Sequence, residues 1–269
     1  MSDLKKFGGR SKRRWANSRR RRILDAGAEG GGIVTPPQSE NLVVLLDAGN
    51  YAGSGDTWYD TSGNGNDGVF FDGATDAETA FVDDGDSSYF DLDVLPASGG
   101  KRWAMASDAS LNMNGSDDWA VSLLINPGSL DTSRYLFVNN NRFNVLWGWN
   151  GGGRMQMFLN NVRYTDAAVG LDVQVAGIGE WFLFTLRRSG TEIQYNCNGT
   201  WGSVSASSAP TITSSGSYFN LGSWGAAGSA YNGKIAGAWL WKGGPLTDED
   251  VATHVADIGA RYTLSENFG

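Results

Sequence analysis

The chain has little of what most often carries chemistry or cross-links. One residue in 269 is cysteine, Cys197, so no intramolecular disulfide can form, and no Cys or His stands near it at metal-ligand spacing. One is histidine, His254, so a Ser/His/Asp triad would have to be built on that side chain. Its spacing to Val251 and Val255 puts it on or beside the packing face of a helix, which favours a structural role. No apolar run is long enough to cross a bilayer. The basic N-terminus leads into Ile23-Leu24-Asp25-Ala26-Gly27-Ala28-Glu29, which is not the apolar core of an export signal. The expectation is a protein made in the cytoplasm, with no membrane partner and no cofactor.

What is present is glycine, tryptophan and unevenly divided charge. Thirty-eight glycines and eleven tryptophans with six prolines suit many strands joined by glycine turns. Strand-like runs recur at short intervals: Leu42 to Leu46, Val69 to Phe71, Glu78 to Val82, Ser88 to Val94, Arg102 to Ala106, Trp119 to Ile125 and Arg134 to Val138. They continue through Phe143 to Trp149, Arg154 to Leu159, Val169 to Val175, Trp181 to Arg187, Glu192 to Asn196, Trp201 to Val204, Tyr218 to Trp224 and Lys234 to Trp241. Two hairpins are legible, one turning at Asn150 to Gly153 and one at Asn198-Gly199. One helical pattern follows the last strand: Thr247 as N-cap, Asp248, Glu249 and Asp250 in the first turn, and Val251, Val255 and Ile258 on one face. The reading is an all-β antiparallel sandwich with one short C-terminal helix packed under its edge. No fixed period points to a propeller or solenoid.

The charge splits the chain in two. Residues 1–22 hold ten Lys/Arg against Asp3, a net of +9, and the rest carries −17. With only Leu4, Phe7 and Trp15 as large apolar residues, the first stretch cannot offset its chain entropy and is expected to be an extended arm. Gly30-Gly31-Gly32 and Pro36-Pro37 read as a linker, dividing a basic arm and linker, 1–40, from a sandwich domain, 41–269. Arg10, Lys12, Arg13, Arg14, Trp15, Arg19, Arg20, Arg21 and Arg22 are the candidate partner-binding residues. An acidic groove on another protein ranks first, because guanidinium groups bond carboxylates in pairs. Nucleic acid ranks second, since the acidic domain opposes it. A membrane surface and a merely solvated tail come last.

The stretch Leu42 to Phe71, LVVLLDAGNYAGSGDTWYDTSGNGNDGVFF, runs strand, Gly/Ser loop, Thr57-Trp58 pair, Ser62-Gly63-Asn64-Gly65-Asn66 turn and strand. It resembles the opening of concanavalin A-like (laminin G-like) jelly-roll modules of tailed-phage virion proteins. Glu180 to Thr185, the Asn198-Gly199 hairpin and Tyr231 to Trp241 resemble later strands of the same modules. The resemblance implies a non-catalytic virion structural protein, a capsid decoration, cement or head-fibre protein. The arm would dock on a major capsid, portal or tail protein, and the molecule would sit as an oligomer on the outer surface of the particle. The alternative it implies is a host-glycan receptor module on a head or tail fibre, for which Trp147, Trp149 and Asn140 are the candidate sugar contacts. The bland reading of these tryptophans is core filling.

Some relatives of this fold are β-glucanases, with paired carboxylates on one strand as Glu-x-Asp-x-x-Glu. None of the seven glutamates here has an aspartate two positions later, so that catalytic route is closed and an enzyme is not expected. Asp83-Asp84-Gly85-Asp86 and Asp91/Asp93 only approximate the calcium loop of laminin G-like modules; they read as solvated acids, and no metal is expected. Asn114-Gly115-Ser116 and Asn198-Gly199-Thr200 match glycosylation sequons but read as turns.

Overall fold

The computed structural model describes residues 36–71, 77–94, 101–106, 108–113, 117–129, 134–139, 143–147, 155–159, 162–164, 178–204, 219–223, 230–244 and 246–265. The arm residues named above, and the run Val169 to Val175, lie outside them. The strands are β1 Leu42–Asp47, β2 Thr57–Trp58, β3 Gly68–Phe71, β4 Phe81–Val82, β5 Tyr89–Asp91, β6 Arg102–Met105, β7 Trp119–Pro127 and β8 Arg134–Asn139. They continue with β9 Phe143–Trp147, β10 Met155–Leu159, β11 Val162–Tyr164, β12 Phe182–Ser189, β13 Glu192–Cys197, β14 Thr200–Val204, β15 Phe219–Leu221 and β16 Gly233–Lys242. Helix α1 is Ala77–Ala80 and helix α2 is Asp248–Gly259.

These strands form two antiparallel sheets, the sandwich expected from the sequence. The back sheet runs β14-β13-β12-β7-β16, and the far edge of β16 is shared by β1 and β5, with β4 beyond β5. The front sheet runs β11-β10-β9-β8-β15-β6-β3-β2. Between them lies a ring-rich core. Trp58, Trp103 and Phe90 meet with centroids 4.6–5.2 Å apart, and Trp119 of the back sheet packs on Phe143 of the front sheet at 4.7 Å. Each such ring, fully buried, stabilises the fold by roughly 1.5–3 kcal/mol.

Every residue of β7 is buried, and so is nearly all of β16. The cause is a second apolar layer. Leu45, Leu124, Leu183, Trp239 and Trp241 line the outer side of the back sheet and receive Leu246, Val251, Ile258 and Tyr262 from α2 and its flanks. Two-sided burial is why these strands read as continuous apolar runs rather than alternating ones. It also corrects the expected position of the helix: α2 covers the outer face of the back sheet, not the sandwich edge. The capping box is as the sequence indicates, with the Thr247 side chain accepting from Asp250 N–H at 3.1 Å and Asp250 Oδ2 accepting from Thr247 N–H at 2.8 Å. Arg187 fastens the helix start by donating to the Leu246 carbonyl at 2.5 Å and to Asp248 and Gln194, while its guanidinium stacks 4.0 Å above Trp201.

Two further expectations change. Glu78 to Val82 alternates like a strand, yet Ala77–Ala80 is helical and only Phe81–Val82 is extended. Ala77 N–H donates to Asp56 and Gly55 N–H to Glu78, so side chains satisfy this short segment where a sheet partner would have been needed. Ser88 to Val94 shortens to β5 followed by a 3-10 turn. The Asn198-Gly199 hairpin forms as read, with φ of 46° and 99° at the two turn residues, and the β9–β10 pairing forms as well.

The Ser62-Gly63-Asn64-Gly65-Asn66 turn has a definite structural duty. One side of β1 pairs with β16; the other side is an exposed edge. Asp60 accepts from Leu45 N–H, Ser62 N–H, the Ser62 hydroxyl and Asn66 N–H, all at 2.8–2.9 Å. Asn64 and Asn66 donate to the Leu42 and Val43 carbonyls at 2.9 and 2.7 Å, and Thr61 N–H donates to the Leu45 carbonyl at 3.0 Å. The loop thus occupies hydrogen-bonding groups that would otherwise template pairing with another chain. We predict that Asp60→Ala destabilises the domain by about 2–4 kcal/mol, since one carboxylate serves four donors. Equilibrium urea unfolding measures it; a change under 0.5 kcal/mol would show the loop to be dispensable.

Candidate functional site

With the back sheet covered on both faces, the front sheet stays exposed at its β2–β3–β6 end, while Asn220, Val138 and Asn144 farther along its outer side are buried. Alternation along β3 turns Gly68 and Phe70 inward and Val69 and Phe71 outward, where they are 40% and 48% exposed. Tyr59, just past β2, is 46% exposed. Phe71 is in register with Arg102 of β6, whose guanidinium carbon lies 5.3 Å from the Phe71 ring centroid. Ala104 lies beside Val69, and beyond it on the same face come Asn220 of β15, Val138 of β8 and Asn144 of β9. An apolar edge and a guanidinium can stack on a ring and bond hydroxyls. Among its described residues this face has no nucleophile–base pair and no carboxylate pair.

The residues singled out from sequence are distributed elsewhere. Trp147 ends β9, in register with Arg134 and Met155; its side chain, and all of Trp149 and Asn140, lie outside the described residues. Among the described residues no three His, Cys, Asp or Glu side chains converge as metal ligands. Asp83 and Asp84 instead flank a turn in which the Ser88 hydroxyl donates to the Gly85 carbonyl at 2.7 Å. Burial, and then the neighbouring Asp91, raise the Asp93 carboxyl above the usual carboxylate range, while Lys101 and Lys234 draw it back. Cys197 is sealed in the core, where burial pushes its thiol up and keeps it protonated. The aromatic edge Tyr59/Val69/Phe71 was missed as a site because Val-Phe-Phe reads as uniformly apolar; only the Gly68/Phe70 alternation hints that half of it faces out.

His254 is buried under α2, its ring 4.7 Å from that of Trp239 and 5.5 Å from that of Trp241 in edge-on contacts. Burial, and secondarily the charge of Arg261, lower its pKa to about 3, so it is a neutral packing residue.

The described chain begins on this same helix-covered side. The Trp241 indole donates to the Pro37 carbonyl at 2.8 Å, and the Gln38 amide donates to Asp250 at 2.6 Å. Pro36 therefore stands at the N-terminus of α2, across the sandwich from Val69 and Phe71.

No protein-family model matches the chain, and no curated protein matches it. Solved structures do. Domain 4 of AbnA, an extracellular GH43 arabinanase from Geobacillus stearothermophilus in complex with arabinotriose, aligns with TM-score 0.57 at 16% identity, over 79% of this chain and 97% of that one. The binding domain of Paraclostridial Mosquitocidal Protein 1 aligns with TM-score 0.56 at 15% identity, over 82% of this chain and 53% of that one. Trypanosoma rangeli sialidase in complex with sialic acid aligns with TM-score 0.55 at 10% identity, over 94% of this chain and 39% of that one. At these identities the likeness is one of fold: a β-sandwich of the kind found in carbohydrate-binding and glycosidase proteins. The chain spans about half of the toxin domain and two fifths of the sialidase.

The buried histidine makes stability depend on pH with a definite sign. The unfolded chain takes up a proton near pH 6.5, whereas the folded chain does so only near 3. The unfolded state is therefore favoured by about 1.4 kcal/mol for each pH unit of acidification within that window, and the stability is fully present above 6.5. We predict that His254→Phe, which cannot titrate, loses less stability than the wild type between pH 6.5 and 4.5. Parallel slopes in urea unfolding at the two pH values would mean that His254 is solvated.

Proposed function

We propose that the chain is a non-catalytic carbohydrate-recognition sandwich carried on a tailed-phage particle, held there by its Arg-rich arm with the front-sheet face turned outward. The observation that carries this reading is the opposition of two faces. The basic segment precedes Pro36, beside α2 on the back sheet, and the exposed Tyr59, Val69, Phe71 and Arg102 stand on the other sheet. The fold's presence in a domain solved with arabinotriose supports the glycan part. The split of +9 against −17 supports the anchoring part, because a cationic arm on an acidic body seeks an acidic partner other than the genome. The capsid, portal or tail protein is that partner, and several copies sit on one particle.

The non-catalytic part of the reading is supported by the burial of Cys197 and His254, the chain's single thiol and imidazole. A second reading, decoration or cement without a ligand, is favoured by the charge division alone and shares the anchoring step.

The two are separated by experiment. On a host-glycan array the full-length protein binds, and Phe71→Ala and Tyr59→Ala each weaken binding by about tenfold through the loss of a stacking contact. Removal of residues 1–24 leaves the melting temperature and glycan binding intact and abolishes incorporation into particles. Absence of glycan binding with arm-dependent incorporation would leave decoration standing. Full occupancy of the truncated protein on particles would end the anchoring idea.

A further inference from the structure

The exposed end of the front sheet sets one positive charge inside an apolar patch. Trp58 and Gly68 are paired and both buried, so alternation turns Thr57 and Tyr59, and Val69 and Phe71 of β3, to the outer side. β6 continues that face with Ala104 beside Val69 and Arg102 beside Phe71, while its alternate residues Trp103 and Met105 fill the core. Among the described residues, Tyr59, Val69 and Phe71 are three of the four exposed large apolar side chains. The fourth, Ile178, adjoins Gly179, whose N–H donates to the Pro127 carbonyl at the end of β7 in the other sheet. The clustering of the other three on one strand pair is therefore a property of this face.

The guanidinium carbon of Arg102 lies 5.3 Å from the Phe71 ring centroid, so the ring fixes where the cation stands. A guanidinium carries five N–H donors in a planar fork; it can take an anionic group through two of them and still bond other partners. The carboxylates nearest this end are engaged with backbone. Asp67 accepts from Asp60 N–H at 2.8 Å, Glu78 from Gly55 N–H at 2.9 Å and Asp56 from Ala77 N–H at 3.2 Å. Tyr59 stands one residue past the Trp58–Gly68 pair, and Phe71 three residues beyond Gly68 on the neighbouring strand. Strand spacing puts the two about 14 Å apart, a span that a short oligosaccharide bridges and a single ring does not.

We infer that this patch selects an acidic saccharide. The apolar face of one ring rests on Phe71 and Val69, its anionic group pairs with the Arg102 guanidinium, and a further ring of the chain reaches Tyr59. A neutral sugar has the aromatic contacts alone, so Arg102 is the residue that chooses between the two classes. The remainder of the chain beyond the arm carries −17 and repels anions at long range, so the selection comes from this local pair rather than from steering. The inference rests on the glycan reading above and adds to it the class of ligand and the residue that selects it.

The test titrates the full-length protein, at about 0.15 M salt, with hexuronate oligosaccharides, their neutral methyl esters and sulfated oligosaccharides. Calorimetry gives the affinities, and NMR follows the side-chain Nε–H signal of Arg102. The expected result is that an acidic chain binds about tenfold more tightly than the methyl ester, and the hexuronate and sulfated arms show which anionic group is taken. Arg102→Gln loses that preference and keeps the affinity for the ester. Arg102→Lys restores only part of it, because an ammonium does not form the paired bonds of a guanidinium. Tyr59→Ala weakens long chains and leaves a single acidic ring unaffected. The basic arm also attracts acids, so a preference that survives Arg102→Gln belongs to the arm and overturns the inference. Equal affinity for acid and ester overturns it as well, with the glycan reading still standing. No binding across the panel removes the glycan reading itself. Should the Arg102 variants fail to fold, the wild-type Nε–H signal decides alone: a shift with the acid and not with the ester supports the inference, and a static signal at saturation refutes it.

Discussion

The constraint on which this molecule turns is that its back sheet must be buried on both faces. β7 and β16 carry large apolar side chains in both directions, so one core is not enough to remove them from water. The front sheet covers one side, and α2, reaching back after the last strand, covers the other with Val251, Ile258 and the flanking Leu246 and Tyr262. Once that layer is in place, the exposed large apolar side chains on the described part of the front sheet are those at its β2–β3 end, Tyr59, Val69 and Phe71.

A second constraint concerns backbone rather than side chains. A sandwich has edges, and β1 would present one beside the nearly fully buried β16. The loop from Asp60 to Asn66 answers this with a single carboxylate that gathers four donors and with two asparagine amides that bond carbonyls of β1. The same polar, glycine-rich composition that marks the loop in the sequence is what lets it lie against a strand. Its conspicuous residues thus belong to stability.

The positions of the single histidine and cysteine follow from these layers. His254 faces Trp239 and Trp241 under the helix, and Cys197 faces the core from β13. Both are held in their uncharged forms by burial, which removes them from proton transfer and thiolate chemistry near neutral pH.

The sequence by itself determined the sandwich class, the late helix with its Thr247 cap, the Asn-Gly hairpin and the division of charge. These rest on local signals: strand-length apolar runs, a capping box, a turn dipeptide that tolerates positive φ, and composition. Only the tertiary structure decided where α2 packs, because an amphipathic face states that it needs a partner and not which one. It also decided that Glu78 to Val82 begins as a helix, since Asp56 accepts from Ala77 N–H and Gly55 N–H donates to Glu78, both partners distant in sequence. The candidate site was least legible of all. Phe71 and Arg102 meet only through the β3–β6 pairing, and whether Phe71 faces water depends on which sheet lies beneath it. Strand pairing and layer order are non-local, and no pattern along the chain encodes them.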